Sequence, residues 1–327
     1  MTPFFTVRVR PQVRVHADPA RGCRVSGLAR VPVPVAAPPA PAATSTGASL
    51  VAPTSLVALG SLHRRPPRPV APVVPDWAPV PGLAELVRDA RREQVDGLGW
   101  FQVGRRVRAA ARARAVATQR AAVLAAAAEH RRSEDRSGLA RAYERLVVND
   151  EETVLATLAR VLGEMGSPAA AVGVDHRELT LVVVVPDVSV LPEEYPVTGP
   201  GGNLEVRPVT AGLAGEWYRQ LVAGQAVLAT RQAFAACPGL DLAAVVVVRQ
   251  PAPRREHAGG PGADVLLATR LSRSRLDRLH WAAVTAWDVV ETAGDQTLVA
   301  AGEAGALAPL DLGDQPGLAD LAAAVEF

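Results

Sequence analysis

The distribution of proline divides this chain of 327 residues into two regimes. Sixteen of the 28 prolines lie at or before Pro81, and the next proline is Pro168. Because proline removes a backbone donor and interrupts helices, long helices are disfavoured in the first segment and allowed in the second. The sequence therefore predicts short, Val-rich strands before Pro81 and long helices directly after it.

Charge divides the chain at a second point. Residues 1–145 hold 23 Arg and 10 acidic residues, whereas residues 146–327 hold 12 Arg and 23 acidic residues. The overall net charge of +2 therefore conceals a basic first part and an acidic second part. Parts of opposite charge are expected to meet different partners.

Cysteine and proline usage indicate the compartment. Cys23 and Cys237 are the only cysteines, too few for a disulfide framework or a thiolate cluster for zinc. The uncharged run at 31–63 contains six prolines, so no membrane-spanning helix is expected there. We therefore predict a cytoplasmic protein with no bound metal, no cofactor and no membrane partner.

Four consecutive parts follow from these patterns. Residues 1–60 are predicted to form a small β-rich domain, 61–82 a Pro-rich linker, 83–145 an Arg/Ala-rich helical region and 146–327 an α+β domain. Apolar residues recur with a 3-4 spacing from Trp100, which is typical of a helix that packs on a partner. The polar cluster at 131–138 is expected to break this helix, and a second helix is expected from Leu139.

The C-terminal part carries local signals for both helices and strands. Asn149 and Glu152 resemble a capping box that opens a helix, which Gly166 is expected to end. Strands are predicted at 169–174, 179–185, 204–209, 242–249 and 265–269, with a hairpin turn at 175–178 and a helix at 211–236. This order predicts an α+β fold in which helices pack on a mixed sheet.

Several segments resemble a known family. They are 146–160 (LVVNDEETVLATLAR), 169–175 (AAAVGVD) and 199–205 (GPGGNLE), together with 5–10 (FTVRVR), 13–15 (VRV) and 45–48 (STGA). In these segments the chain resembles actinobacterial proteins of the domain-of-unknown-function 4236 family, in both its short N-terminal domain and the associated C-terminal region. The resemblance implies a cytosolic protein of unassigned function and supplies no catalytic residues.

One arrangement in the C-terminal part is compatible with an enzyme. The predicted elements follow the order helix, three strands, helix and strand, which is the core order of restriction-endonuclease-like folds. In such folds carboxylates hold Mg²⁺ and a cation positions a phosphate. The candidates are Glu164, Asp187, Glu205 and Arg207. Because Arg207 stands where such sites use Lys, a metal-dependent nuclease is an alternative and a non-catalytic protein is the main expectation.

Arginine in the helical region is the strongest functional signal. Four closely spaced arginines lie near the start of this region, namely Arg105, Arg106, Arg108 and Arg112. Glu129 is the only acidic residue between positions 97 and 133. An uncompensated basic helix attracts nucleic acid or another polyanion, or an acidic protein partner. The main prediction is non-catalytic binding or scaffolding through the α+β domain and this basic helix, with nucleic-acid binding as an alternative.

Overall fold

The structure is a computed structural model that describes residues 14–18, 22–26, 60–67, 79–96, 98, 101–250 and 263–326. These residues belong to two compact units. The described residues before position 68 and from 144 onward form an α+β unit, and those at 79–143 form a helical unit. None of the described helices combines the length and apolar character needed to cross a bilayer.

The bounds of the elements follow, numbered along the chain. The strands are β1 (Arg14–Asp18), β2 (Gly22–Ser26), β3 (Ala169–Asp175), β4 (Glu178–Val185), β5 (Glu194–Thr198), β6 (Leu204–Pro208), β7 (Leu242–Arg249), β8 (Asp264–Ser272), β9 (Gly294–Ala301), β10 (Leu307–Ala308) and β11 (Val325–Glu326). The helices are α1 (Leu83–Val95), α2 (Val103–Val147), α3 (Glu151–Glu164), α4 (Ala211–Ala236), α5 (Arg273–Leu276), α6 (Ala286–Ala293) and α7 (Pro316–Ala323).

The α+β unit is built on a six-stranded mixed sheet in the order β10-β9-β8-β7-β4-β3. The central strands β4 and β7 are parallel, with Val183 opposite Val247, and the other neighbours are antiparallel. Both central strands are buried on both faces, which explains their nearly uninterrupted Val runs. The predicted α+β class is confirmed.

Alternate side chains of the sheet enter two different cores. Leu181 and Val183 of β4 pack with α3, α4 and α6 on one face, which forms the main core. Val182 and Val184 point to the opposite face and into a second core, which β1, β2 and α7 complete. The hairpin of β5 and β6 stands apart from this sheet, so the strand predicted at 204–209 forms but pairs only with β5.

The N-terminal strands belong to the α+β unit rather than to a domain of their own, which differs from the division predicted at residue 60. Val15 pairs with Val325 across the parallel contact of β1 with β11. Val15 and Cys23 are both buried in the second core. Local sequence patterns do not reveal this pairing, because its two partners lie at opposite ends of the chain.

The first residues of the predicted linker at 61–82 also belong to the α+β unit. Leu62 to Arg64 form a 3₁₀ turn in which Leu62 enters the main core and His63 is fully buried. Arg231 of α4 donates a hydrogen bond to the carbonyl oxygen of Arg65 at 3.0 Å, which holds the end of this 3₁₀ turn against α4. Positions 68–78 of the predicted linker lie outside the described residues.

Helix α2 is continuous over 45 residues, so the prediction that the cluster at 131–138 breaks it is wrong. Side chains pair along the helix in and next to that cluster. His130 lies 3.2 Å from Glu134, and Glu129 lies 3.5 Å from Arg136. Such pairs compensate for the low helix propensity of Ser and Gly in the same stretch.

The start of α3 also differs from its prediction. Asp150, not Asn149, caps the helix, and its carboxylate accepts a hydrogen bond from the Thr153 backbone N–H at 3.1 Å. Asn149 has a left-handed φ of 58° after α2 and donates a side-chain hydrogen bond to the Gly239 carbonyl oxygen at 2.8 Å. Asn tolerates this conformation better than most residues, so it serves as the link between two helices.

Candidate anion-binding groove

A groove of about 500 Å³ lies between the end of α1 and the beginning of α2. Its lining consists of Gln94, Leu98, Arg105, Arg108, Ala109 and Arg112. The three arginines follow an i, i+3, i+7 spacing, which places them on one face of α2. The groove therefore collects three positive charges and one amide side chain in a single concave surface within the helical unit.

Small side chains bring α1 and α2 together beside this groove. Ala90 of α1 and Ala113 and Ala117 of α2 are fully buried in one apolar cluster, together with the partly buried Leu86 and Val87. Alanine lets two helix backbones approach closely because it adds little bulk at the contact. This contact positions Gln94 of α1 opposite the arginines of α2.

Among the described residues, the arginines of the groove have no compensating carboxylate. Among the described residues of the helical unit, no carboxylate lies within 4.0 Å of the guanidinium groups of Arg105, Arg108 or Arg112. Arg108 donates a hydrogen bond to the Gly104 carbonyl oxygen at 3.2 Å, which leaves its charge intact. The guanidinium groups thus offer both charge and donors to an external anion.

The first turn of α2 violates the usual charge preference of helices. It contains no acidic residue, and the backbone N–H groups of Arg105 and Arg106 each lie 3.0 Å from the Gln102 carbonyl oxygen that opens the helix. Positive side chains at this position are unfavourable, because the helix N-terminus already carries partial positive charge. A bound anion would remove this repulsion, and helix N-termini are favourable places for anions.

Three of the four arginines predicted as a polyanion site therefore meet in one groove. Arg106 is exposed on the same helix but does not line it. Gln94 and Leu98 were missed by the sequence analysis, because their contribution depends on how α1 packs against α2. No local signal at Gln94 or Leu98 distinguishes them from any other residue near the end of an amphipathic helix.

The four residues considered for a nuclease lie on different elements and are engaged separately. Glu164 ends α3 and pairs with Arg160 at 3.1 Å. Glu205 and Arg207 lie on the exposed strand β6 and pair with each other at 3.0 Å. In the described part of the chain, no three His, Cys, Asp or Glu side chains come together as metal ligands. The structure does not bring these residues into one site.

Asp187 instead belongs to an ionic cluster at the carboxyl ends of β4 and β7. Arg249 lies 3.5 Å from Asp187 and 3.3 Å from Asp264. Burial raises the pKa of Tyr218 to about 12, and its hydroxyl donates to the Pro186 carbonyl oxygen at 2.8 Å. Burial works to raise the pKa of Asp187, but hydrogen bonds from Ser189 and the charge of Arg249 hold it below its usual value. The cluster is internally satisfied and ties adjacent strands together.

The two cysteines are buried free thiols. Burial raises the pKa of Cys23 and of Cys237 to about 12. Since the thiolate is the reactive form, neither side chain is a nucleophile near neutral pH. Cys237 closes α4 beneath Arg273, which donates to the carbonyl oxygens of Phe234 and Cys237 at 2.9 Å each.

No family model, no curated protein and no solved structure matches this chain. The resemblance to the domain-of-unknown-function 4236 family therefore stays a prediction.

Proposed function

We propose that this protein is a non-catalytic binding protein whose helical unit holds nucleic acid through its phosphate groups. The observation that carries the proposal is the convergence of Arg105, Arg108 and Arg112 on one groove, where no described carboxylate lies within 4.0 Å of their guanidinium groups. Guanidinium groups form paired hydrogen bonds with phosphate oxygens, and neutralised phosphates release bound counterions. Such contacts are indifferent to sequence, because they do not touch the bases.

Other observations favour this function over the alternatives. A nuclease would need carboxylates gathered around a metal, and the candidate acids are paired with arginines on separate elements. An acidic protein partner would also suit the charge, but the three arginines are spaced along one helix face within one groove, which suits a chain of regularly spaced anions. The two free cysteines support a reducing, cytoplasmic compartment for this activity.

The test is the salt dependence of binding by the full chain. Fluorescence anisotropy with a labelled oligonucleotide, measured between about 50 and 200 mM salt, gives the slope of log affinity against log salt. Replacing Arg105, Arg108 and Arg112 together by Gln is expected to reduce the magnitude of that slope by about 2 to 3 units and to weaken binding at low salt.

A matched control removes three charges from the same helix outside the groove. Arg106, Arg114 and Arg131 do not line it, so their combined replacement by Gln should leave most of the slope intact. Equal losses in both variants would show that attraction is diffuse along α2 and would contradict a defined groove. Absence of binding by the unaltered chain at about 50 mM salt would refute the proposed function.

A further inference from the structure

We infer that two copies of this protein form a dimer in which β6 of one copy pairs antiparallel with β6 of the other. The inference goes beyond the proposed function, because β6 belongs to the α+β unit and the arginine groove belongs to the helical unit. It rests on the open backbone edge of β6, on the apolar side chains exposed along this strand and on the order of its charged residues.

The outer edge of β6 presents backbone groups that β5 does not use. At the end of the hairpin, the Val209 N–H donates to the Glu193 carbonyl oxygen at 2.8 Å, so these two residues form a hydrogen-bonded pair. Hydrogen-bonded and non-hydrogen-bonded pairs alternate along an antiparallel ladder, so the N–H and C=O groups of Leu204 and Val206 point away from β5. In the described part of the chain β6 pairs with β5 alone, which leaves this edge open to an added strand.

The other edge of the hairpin, on β5, is closed to such pairing. Pro196 lies opposite Val206 at the centre of β5, so its backbone also faces outward. Proline has no N–H to donate, and a proline on an edge strand is a common protection against association. In β6 the only proline is the last residue, Pro208, so the centre of this strand keeps its donor. One edge of the hairpin is therefore protected, and the other is not.

The side chains of β6 are also exposed. All five of its residues are exposed, so the strand is accessible from both faces. Leu204 is 79% exposed, more than any other large apolar side chain among the described residues, and Val206 is 65% exposed. The opposite face of the hairpin is anchored to α4, because the ring of Tyr195 lies 5.4 Å from that of Trp217 in an edge-to-face arrangement. An apolar row on an open edge favours a partner that covers it.

The order of charges along β6 identifies a second copy as this partner. Glu205 and Arg207 flank Val206 on the face opposite Leu204, and their charged groups lie 3.0 Å apart. If two such strands run antiparallel with Val206 on the twofold axis, Glu205 of each copy lies opposite Arg207 of the other. Placing Glu205 or Arg207 on the axis would instead set like charges opposite each other. The strand is therefore complementary to itself, as an interface between identical subunits requires.

The same register suits the backbone and the apolar face. The Val206 N–H of each copy meets the Val206 carbonyl oxygen of the other, and the Leu204 N–H meets the Pro208 carbonyl oxygen, which requires no donor from proline. On the apolar face the two Val206 side chains pack together, and each Leu204 packs on Pro208 of the other copy. Because β6 has only five residues, the buried area is small and the expected Kd is on the order of 10 to 100 µM.

Sedimentation velocity of the full chain without nucleic acid measures this association at about 150 mM salt and at about 1 to 300 µM protein. The chain is expected to be a monomer at the lowest concentration and a dimer at the highest. Val206→Pro removes the central outward N–H but no bond to β5, so it should abolish the dimer. Thr198→Pro is the matched control, because it makes the same change on the outer edge of β5 and should leave the dimer intact.

Charge reversal tests the register and does not depend on a proline being tolerated in β6. Glu205→Arg and Arg207→Glu each set like charges opposite each other, so each variant alone should dimerise at least about 5-fold more weakly than the unaltered chain. In an equimolar mixture of the two variants, every cross-strand pair again has opposite charges. The mixture should therefore form a heterodimer about as tightly as the unaltered chain forms its homodimer.

Three results would overturn the inference. They are an unaltered chain that stays monomeric at about 300 µM, a dimer that persists in Val206→Pro, and a mixture of the two charge variants that does not associate. The first would also be the outcome if β6 pairs only with a strand of another protein. The groove arginines are unchanged in every variant, so none of these results bears on the proposed function.

Discussion

Arg120 of α2 and Glu93 of α1 form a bidentate ion pair, in which the two guanidinium Nη atoms lie 3.2 and 3.1 Å from the two carboxylate oxygens. Hydrogen bonding to Glu93 and its charge raise the pKa of Arg120 above the usual value. This pair joins the two helices and neutralises Arg120. It thereby separates an arginine with a structural role from the uncompensated arginines of the groove on the same helix.

The first prediction compares these two kinds of arginine. Arg120→Gln should reduce affinity for an oligonucleotide much less than Arg105→Gln does, although each substitution removes one positive charge from α2. The reason is that the charge of Arg120 is already balanced by Glu93, whereas that of Arg105 is available to a phosphate. Anisotropy titrations of both variants at one low salt concentration give the comparison, and equal losses would contradict it.

The second prediction concerns the stability of the first turn of α2. Arg105→Gln should stabilise this turn by roughly 0.3–1 kcal/mol at low salt in the absence of ligand, because it removes a positive charge from the positive end of the helix. The same variant should bind oligonucleotide less tightly. Hydrogen exchange at 103–112 in the unliganded chain measures the first effect. Slower exchange is the expected outcome, and unchanged or faster exchange would show that Arg105 does not strain this turn.

The third prediction concerns pH and His63. Its imidazole donates from Nε2 to the Val284 carbonyl oxygen at 2.9 Å, and Nδ1 is buried without a described partner. Burial lowers the pKa of His63, assisted by the positive charges of Arg64 and Arg231 and opposed by the Val284 carbonyl and Asp288. The unfolded chain therefore binds a proton at a higher pH than the folded chain. This contribution to stability is full above about pH 6.5 and is lost as the pH falls through the lower, folded-state pKa.

His63→Gln should reduce the pH dependence of unfolding in that window, since the Gln amide keeps a donor for Val284 and does not titrate. Urea unfolding followed by tryptophan fluorescence at about pH 7.5 and about pH 5.5 is the measurement, with Trp281 lying 6.4 Å from the His63 ring as a local reporter. The exposed His280 supplies the control, because His280→Gln makes the same replacement at a side chain outside the core. If both variants behave alike, His63 is not the source.

The fourth prediction concerns the docking of Leu62 on α4. Leu62→Ala should destabilise the α+β unit by about 2–5 kcal/mol, because this side chain is only 6% exposed within the main core. A Cβ added at Gly224 would lie 3.1 Å from the Leu62 Cβ, so Gly224→Ala should crowd the same contact. Chemical denaturation of both variants, with Leu204→Ala as an exposed control, measures these effects.

The double variant provides a sharper result. Leu62→Gly removes the Leu62 Cβ that lies 3.1 Å from a Cβ added at residue 224, so in its presence the additional methyl group has room and should no longer be unfavourable. The two substitutions should therefore be non-additive, with the double variant more stable than the two single effects predict. Strict additivity would mean that Leu62 and Gly224 do not contact each other in solution.

Local sequence patterns predict most of the elements of the α+β unit. The helix predicted at 211–236 and the strand at 242–249 coincide with α4 and β7, and the hairpin turn at 175–178 joins β3 and β4. These features depend on periodicity, propensity and turn residues within a few positions, which a single sequence displays. The same local patterns identified Arg105, Arg106, Arg108 and Arg112 as unusual, because the surrounding stretch has few acidic residues, and three of these four line the groove.

The tertiary structure, in contrast, determines which distant residues meet. In the folded chain β1 pairs with β11, and Leu62 packs in the main core. Gln94 and Leu98 lie across the groove from three arginines of α2. The tertiary structure also pairs Arg120 with Glu93, whereas Arg105 has no carboxylate partner in the described part of the chain, although the sequence around the two arginines is similar. Such contacts depend on the packing of elements that are separated in the chain, and that packing depends on shape and buried area rather than on any local pattern.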